Sequence, residues 1–251
     1  MQKKFSDDGN FILIDIGTYS CGEIKSFSDS KFFFLKLAKR IIKNLYKKKS
    51  LDISYFKKLV KNHLKIKNHV KKITLILVEP NYLHFDEKIY KLCSMLLPVA
   101  IKNIKEKDLR TTKLFFANND PRSAGNSIFS TKGNVDVNNF KNVLVLTTKE
   151  LISILENNFM HENSKVIIRL NCEGMEDEII YDFKKFIPKR LIGIMGSLKD
   201  VKSIKGNKEY SQLLEFIDNE EIKFVPFSDD IDTWGKAHSY LFSYLQDFKK
   251  V

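Results

Sequence analysis

Short apolar runs that end in glycine, proline or a polar residue recur along this chain and constrain its fold more than any other feature. The runs are FILIDIG from Phe11, ITLILVEP from Ile73, KVIIRLN from Lys165 and RLIGIMG from Arg190. Each has the length of a strand and is too continuously apolar to have one face in water, which predicts strands buried on both faces. Amphipathic stretches lie between them. The alternation predicts an α/β fold with a doubly wound, mainly parallel sheet.

The same patterns predict the remaining elements. Helices are expected over these segments: Lys31–Lys48, Ser54–Lys71, Asp86–Leu96, Lys149–Asn157, a helix from Met175, Glu209–Ile217 and a C-terminal helix from about Thr233. Further strands are expected in these: Val99–Ile104, KLFFANN, NVLVLTT and KFVPF. No repeat and no linker rich in Pro, Gly or Ser divides the chain, so we expect one domain over residues 1–251.

Composition favours a reducing compartment. Hydrophobic residues make up 43% of the 251 residues, enough for a substantial core. The three cysteines, Cys21, Cys93 and Cys172, are odd in number and lack the paired spacing of a zinc site or a disulfide framework. We see neither a signal peptide pattern nor an apolar run of membrane-spanning length. A cytoplasmic protein is therefore expected.

The net charge of +12 is concentrated in one part of the chain. Residues 26–72 contain 15 Lys or Arg against two acids, a balance of +13, so the remainder carries 28 basic and 29 acidic residues, or −1. Nucleic-acid binders usually add a recognisable recognition motif to a basic face, and none is present here. Nucleic acid is therefore not the expected partner.

Acidic residues follow two of the predicted strands. Asp15 ends the first strand and is followed by Gly17 and Gly22, and Glu79 ends the next strand. In doubly wound sheets ligands bind beyond the carboxyl ends of the strands, and an acid after the second strand can accept hydrogen bonds from ribose hydroxyls. The glycine spacing matches neither GxGxxG nor a phosphate loop ending in GK[ST]. The pattern suggests an adenosine-containing ligand without a large phosphate load.

An ordered series of segments resembles the FkbM-type S-adenosylmethionine-dependent methyltransferases. The segments are ILIDIGTYSCGEI, LILVEPN, LPVAIKN, GNSIF, VLVLTTKEL and IIRLNCEGMEDEII, covering about residues 11–186. The family typically has a D-x-G-A-N-x-G loop, an E-P pair, an alanine after the third strand and a K-I-D-x-E-G-x-E strand end. The resemblance implies a Rossmann-like class I methyltransferase fold and S-adenosylmethionine as cofactor.

The resemblance also implies roles for single residues. It assigns cofactor binding to Asp15, Gly17, Thr18, Tyr19, Gly22, Glu79, Pro80 and Ala100. Residues 18–21 replace the usual Ala-Asn-x and lengthen the loop by one residue. In the last motif Glu173, Gly174 and Glu176 match, whereas Arg169 replaces lysine and Asn171 replaces aspartate.

Methyl transfer to an alcohol needs the acceptor to be positioned and one proton to be removed. Glu173 is the expected base, because partial desolvation beside a buried strand would suit a carboxyl to this task. Asn171 can position a hydroxyl but cannot act as a base, and His161 and His84 are reserve bases. The alternative is that Glu173 and Glu176 only cap the following helix.

The loop DPRSAGNS, which begins at Asp120 and is rich in turn-forming residues, is the expected acceptor site. Arg122, Asn126 and Ser127 lie in this loop and are candidate substrate contacts, although an ordinary solvated loop is an equal alternative. No histidines or cysteines occur at metal-ligand spacing, so no metal is predicted.

Residues 26–72 are interpreted as a basic helical insertion or cap after the first strand, because about 60 residues separate Asp15 from Glu79. Phe33, Leu37, Ile41 and Leu45 recur at helical spacing. Three roles are open: a cap on the active site, a basic amphipathic surface on an anionic membrane, or attraction of an anionic acceptor. The cap is favoured because both helices have an apolar face to bury.

The expected function is O-methylation of a hydroxyl on a sugar or glycan-linked acceptor, with a surface polysaccharide pathway as the guess. N-methylation would look almost the same in the sequence. The alternatives are a catalytically weak nucleotide-binding or scaffold protein, and an RNA methyltransferase. The oligomeric state is not indicated.

Overall fold

The structure is a computed structural model that describes residues 11–19, 25, 29–46, 53–67, 73–105, 108–227, 239–241 and 243–244. The chain divides into two compact units, one formed by Met1–Ser20 and Thr74–Pro226 and the other by Cys21–Ile73 and Phe227–Val251. Among the described residues, no helix combines the length and the apolar character that crossing a bilayer requires.

Parallel strands form the main sheet of the first unit. Its six strands are β1 (Phe11–Ile16), β2 (Ile73–Val78), β3 (Met95–Leu97), β7 (Lys165–Leu170), β8 (Leu191–Gly196) and β9 (Phe224–Pro226). They lie in the order β3-β2-β1-β7-β8-β9, with parallel pairing of β2 with β3, β1 with β7, β7 with β8 and β8 with β9. The prediction of an α/β fold with a mainly parallel sheet is confirmed. The strand order reverses between β1 and β7, which is where doubly wound folds bind ligands.

A smaller sheet lies between β3 and β7 in the chain. It contains β4 (Val99–Ile101), β5 (Thr111–Ala117) and β6 (Val135–Leu146) in the order β4-β6-β5. β4 pairs with β6 in parallel, and β5 pairs with β6 in antiparallel register with an irregularity between Phe115 and Phe116. The strands predicted in KLFFANN and NVLVLTT are therefore present, and the strand predicted over Val99–Ile104 ends at Ile101.

Helices flank the main sheet and have sequence signals at their ends. They are α3 (Thr148–Asn158), α4 (Glu176–Phe186), α5 (Lys199–Lys205) and α6 (Asn207–Asn219). At α3, Thr147 Oγ1 accepts from the Glu150 N–H and the Glu150 carboxylate accepts from the Thr147 N–H, a capping box. α4 has three acids in its first turn and two lysines in its last, which suits the helix dipole. Ile179, Ile180 and Phe183 of α4 are buried in the core with the apolar strands.

The prediction of a helix over Asp86–Leu96 is wrong. The segment contains a short 3-10 helix over Lys88–Lys91 and then β3. The Ser94 N–H donates to the Leu75 carbonyl (2.7 Å), and Met95 pairs with Ile76 of β2. Pairing with the sheet edge satisfies this backbone and half-buries its side chains, so tertiary context overrides the local helical spacing.

Two basic helices belong to the second unit: α1 (Ser30–Tyr46) and α2 (Ile53–Lys67). Phe33 and Leu37 of α1 and Leu59 of α2 form a small buried cluster, with Ile41 packed against it. His63 is buried and stacks on Phe33 with the ring centroids 3.9 Å apart. The C-terminal helix expected from about Thr233 lies largely outside the described residues.

Candidate functional site

The loop after β1 begins at Gly17, a position suited only to glycine. Its φ is +77°, and a Cβ atom there would lie 2.0 Å from the carbonyl oxygen of Asn171. The Gly17 N–H donates to the carbonyl of Val78 (2.9 Å) at the end of β2. The loop therefore lies against the carboxyl ends of β7 and β2, where its backbone can approach a ligand closely.

Glu79 follows β2 directly and is buried. Its Oε2 accepts from the Tyr19 N–H and its Oε1 from the Asn81 N–H, each at 2.8 Å. Burial raises the pKa of this carboxyl to about 7; the two backbone N–H groups act in the opposite direction, and Asp15 adds a smaller rise. An ionised carboxylate has about four acceptor positions, so about two remain for ligand hydroxyls.

Asp15 is completely buried and faces Arg169 rather than a ligand site. Arg169 Nη1 lies 2.8 Å from Asp15 Oδ1 and also donates to the Gly17 carbonyl (2.9 Å). The two residues are directly paired in the register of β1 and β7. Thr18 is also completely buried, and its Oγ1 donates to the Asp15 carbonyl. The contacts described for Asp15 and Thr18 are thus made within the protein, and neither residue is part of the cleft lining.

A cleft opens beside these groups, at the carboxyl ends of β1, β2 and β7. It comprises about 550 Å³ of space, part of it open to solvent. Its apolar lining includes Ile16, Val78, Pro80, Val99, Ala100, Ile101, Leu114, Ala124 and Ile128. Its polar lining includes Tyr19, Glu79, Asn81, His84, Ser123, Asn126, Asn171 and Glu173. An extended apolar lining with a few convergent polar groups suits a ligand with a flat hydrophobic part and hydroxyls.

The structure brings together only some of the residues selected from the sequence. Those that line the cleft are Gly17, Tyr19, Glu79, Pro80, Ala100, Asn126, Asn171 and Glu173. Gly22 lies outside the described residues. Asp15, Thr18, Arg122, Ser127 and His161 are not part of the lining.

The polar segment after β7 forms a tight turn that leads into α4. The buried Glu176 accepts three backbone hydrogen bonds: Oε1 from the N–H groups of Cys172 and Glu173, both at 2.9 Å, and Oε2 from Gly174 at 2.8 Å. Burial raises the pKa of Glu176 to about 7. These contacts hold the turn that precedes α4, and Glu176 also lies in the first turn of this helix, where an acid favours the helix dipole.

Glycine is required in this turn as well. Gly174 has φ +124°, and a Cβ atom there would lie 2.9 Å from the Phe129 ring. The preceding residue, Glu173, has φ +61° and is buried at the edge of the cleft.

Glu173 is held by two groups from the loop between β5 and β6. Its carboxylate forms a buried ion pair with the ammonium of Lys132, and its carbonyl accepts from Ser127 Oγ (2.9 Å). Lys132 Nζ also donates to the Gly125 carbonyl (3.1 Å) and lies 3.7 Å from Asp200 Oδ1. Burial lowers the pKa of Lys132. The expected base therefore has a cationic partner that the sequence analysis did not identify.

His84 also lines the cleft. Its Nε2 lies 3.0 Å from Asn81 Nδ2, and its ring meets the edge of Tyr19 with the centroids 4.8 Å apart. Burial lowers the pKa of His84, which favours a neutral imidazole. Lys141 Nζ donates to Asn81 Oδ1 (2.8 Å), so a hydrogen-bonded series leads from the cleft to a lysine.

The proposed substrate residues have mostly structural contacts. Asn126 Oδ1 accepts from the Ala117 N–H (2.8 Å), and its Nδ2 donates to the Pro121 carbonyl (2.9 Å). Ser127 is buried on Glu173, and Arg122 is exposed. His161 precedes the amino end of β7, six strand residues away from the cleft, and is exposed. The length of the strand separates His161 from the cleft by roughly 20 Å, so the structure does not bring it together with the other candidate residues.

Comparison with known proteins does not assign the chain: no family model, no curated protein and no solved structure matches it. Over the described residues, no group of three or more His, Cys, Asp or Glu is arranged to hold a metal ion.

Proposed function

We propose that the protein is an S-adenosylmethionine-dependent methyltransferase that acts on a hydroxyl of a sugar or glycan-linked acceptor. The observation that carries the proposal is the position of Glu79. It follows the second strand of a sheet ordered like a Rossmann fold, and both of its oxygens are oriented by backbone N–H groups. An acid at this position is the group that binds a ribose in such folds.

The residues that line the cleft support the proposal of an adenosyl ligand. The carboxylate of Glu79 has acceptor positions left for two ribose hydroxyls, and the apolar residues around Ala100 provide a surface for a flat base. Gly17 permits the close approach of backbone to ligand. The cofactor would supply a methyl group already activated by the sulfonium, so the residues of this chain would need to orient the acceptor, exclude water and remove one proton.

Glu173 and His84 are the proposed proton acceptors. Glu173 lies at the edge of the cleft beside Asn171, whose amide can orient an acceptor hydroxyl, but its carboxylate must part from Lys132 to accept a proton. Burial lowers the pKa of His84, so more of its imidazole is in the neutral form that can act as a proton acceptor. Glu173 remains the first choice and His84 the second.

A binding protein without turnover is the second candidate. The ion pair between Glu173 and Lys132 favours it, because the pair occupies the expected base. RNA methylation is a further alternative because of the basic helices. It predicts RNA binding that weakens steeply as the salt concentration rises.

Titration calorimetry with S-adenosylmethionine and S-adenosylhomocysteine tests the cofactor, with NAD and ATP as controls. We expect micromolar binding of the two adenosyl sulfur ligands only, and a loss of at least about tenfold in Glu79→Gln from one or two lost hydrogen bonds. Glu156→Gln, which changes an exposed acid outside the cleft, should bind like the wild type. Failure of both ligands to bind would refute the proposal.

Turnover over a panel of sugar acceptors separates the two candidates. Glu173→Gln and His84→Gln should retain ligand affinity, and the variant that removes the base should lose most turnover. Ligand binding without methylation of any acceptor would favour the binding protein.

A further inference from the structure

The helix α1 carries more apolar surface than its packing uses. Phe33 and Leu37 are buried in the cluster with Leu59 of α2, so one face of α1 is already covered. A second set of large apolar side chains on the same helix is between 43% and 90% exposed: Phe34, Leu35, Ile42, Leu45 and Tyr46. The sequence pattern placed Leu45 on the packed face, and its exposure corrects that assignment. The second set, which we call the α1 apolar strip, has no role in the packing described above.

The α1 apolar strip is continuous on one side of the helix. At 3.6 residues per turn, its members fall within an arc of about 120°. Lys36, Lys39 and Lys43 follow directly on one side of this arc. Lys31 lies within the arc at the first turn. Large aliphatic and aromatic groups beside a row of lysines are typical of helices that lie in the plane of a membrane interface.

Charge identifies the kind of surface that would cover the strip. Neither α1 nor α2 contains an acidic residue. The exposed lysines of α2 are Lys57, Lys58, Lys61 and Lys65, and two exposed apolar residues, Ile53 and Leu64, lie beside them. A partner must therefore be anionic and also accept leucine and isoleucine side chains. Nucleic-acid phosphates meet only the first requirement, whereas an anionic lipid bilayer meets both, since lysines can extend to the headgroups while apolar side chains enter the acyl boundary.

We propose that α1 and α2 form a docking surface for anionic lipid membranes, through the α1 apolar strip and the lysines of both helices. The proposal concerns the second unit by itself and does not depend on the ligand of the cleft. It assigns the local excess of positive charge to the recognition of lipid headgroups.

Flotation of the full-length protein with lipid vesicles is the test. We expect the protein to float with phosphatidylcholine vesicles that contain about 30% phosphatidylglycerol, and much less with phosphatidylcholine alone. Binding should weaken as salt is raised above about 0.1 M, because screening shortens the reach of the lysines.

Two pairs of variants separate the apolar and the ionic contributions. Leu35→Gln with Ile42→Gln should lower vesicle partitioning at least about tenfold, and Lys39→Gln with Lys43→Gln should lower it roughly tenfold. The controls make the same changes in the first unit, at residues that are also exposed: Leu92→Gln with Leu109→Gln, and Lys88→Gln with Lys91→Gln. Both controls should bind as the wild type does. Circular dichroism confirms that each variant is folded.

Three results would overturn the proposal. The first is absence of binding to anionic vesicles, or binding that both α1 variants retain. The second is tight binding of a single-stranded RNA oligonucleotide that needs Lys39 and Lys43 but not Leu35 and Ile42, which would assign the surface to nucleic acid. The third is a dimer, detected by light scattering, that Leu35→Gln with Ile42→Gln dissociates and that excludes vesicle binding.

Discussion

Replacing Arg169 by methionine should destabilise the fold strongly, because it would leave a buried carboxylate without its guanidinium. Asp15 is fully buried, Arg169 lies 2.8 Å from it, and the same Nη1 atom holds the Gly17 carbonyl. Breaking a buried ion pair by removing one partner typically costs about 3–5 kcal/mol. For a chain of this size, such a loss corresponds to a fall in the melting temperature of roughly 6–20 °C.

The surface pair Arg190–Glu156 provides a matched control. Its arginine and carboxylate oxygen are 2.9 Å apart, close to the buried distance, but both side chains are partly exposed, at 28% and 45%. Solvent screens such pairs, so Arg190→Met should cost no more than about 1 kcal/mol. The two variants therefore differ in the burial of the ion pair and in the hydrogen bond that Arg169 donates to Gly17.

Urea denaturation followed by circular dichroism measures both losses. The double variant Asp15→Leu with Arg169→Met should be less destabilised than Arg169→Met, because no unpaired charge remains. Equal free energies of unfolding for Arg169→Met and Arg190→Met would refute the reasoning, and so would a double variant as unstable as the sum of its parts.

Three further predictions concern the turns and carboxyls around the cleft. Gly17→Ala should lower the free energy of unfolding by at least about 1–2 kcal/mol because of its positive φ, with the clash against Asn171 in addition. The control Gly133→Ala, where a Cβ atom meets nothing within 4 Å, should be about as stable as the wild type. Similar urea midpoints for the two variants would contradict this prediction. Glu176→Gln should cost roughly 1–3 kcal/mol, because one of the two oxygens that accept from the three backbone N–H groups is replaced by an NH2 donor. Unchanged thermal stability would show that these bonds do not stabilise the turn before α4. Burial raises the pKa of Glu79 from 4.5 to about 7. Between these pH values the folded chain keeps a proton on Glu79 that the unfolded chain loses. The contribution of Glu79 to the free energy of unfolding should therefore decrease as pH rises from about 4.5 through 7. Subtracting the pH profile of Glu79→Gln isolates this contribution, and a difference that increases with pH would show the sign to be wrong.

Much of the candidate site was predictable because it follows from local patterns at strand ends. Gly17 and Glu79 come directly after apolar runs, and parallel strands bring their carboxyl ends to one edge of a sheet. The position of Glu176 also agrees with a pattern, since an acid in the first turn of a helix favours the helix dipole. The methyltransferase assignment stays a proposal, since it depends on a resemblance and on a cleft.

The partners of the charged groups were not predictable in the same way. Lys132 precedes Glu173 by 41 positions and lies in a loop, and the sequence contains no signal that these two meet. Arg169 did carry a signal, because a charge inside a buried strand requires a partner. Identifying that partner as Asp15 needed the pairing of β1 with β7.

By itself, the sequence determined where the buried strands and most helices form. The reason is that the spacing of apolar residues along the chain differs between an element buried on one face and an element buried on two. It also determined that positive charge collects in residues 26–72. Only the tertiary structure decided that Asp15 pairs with Arg169 while Glu79 lines the cleft, and that residues 95–97 form a strand instead of ending a helix. The physical reason is that ion pairs and strand registers join groups far apart in the chain, so their energies depend on neighbours that no local pattern specifies.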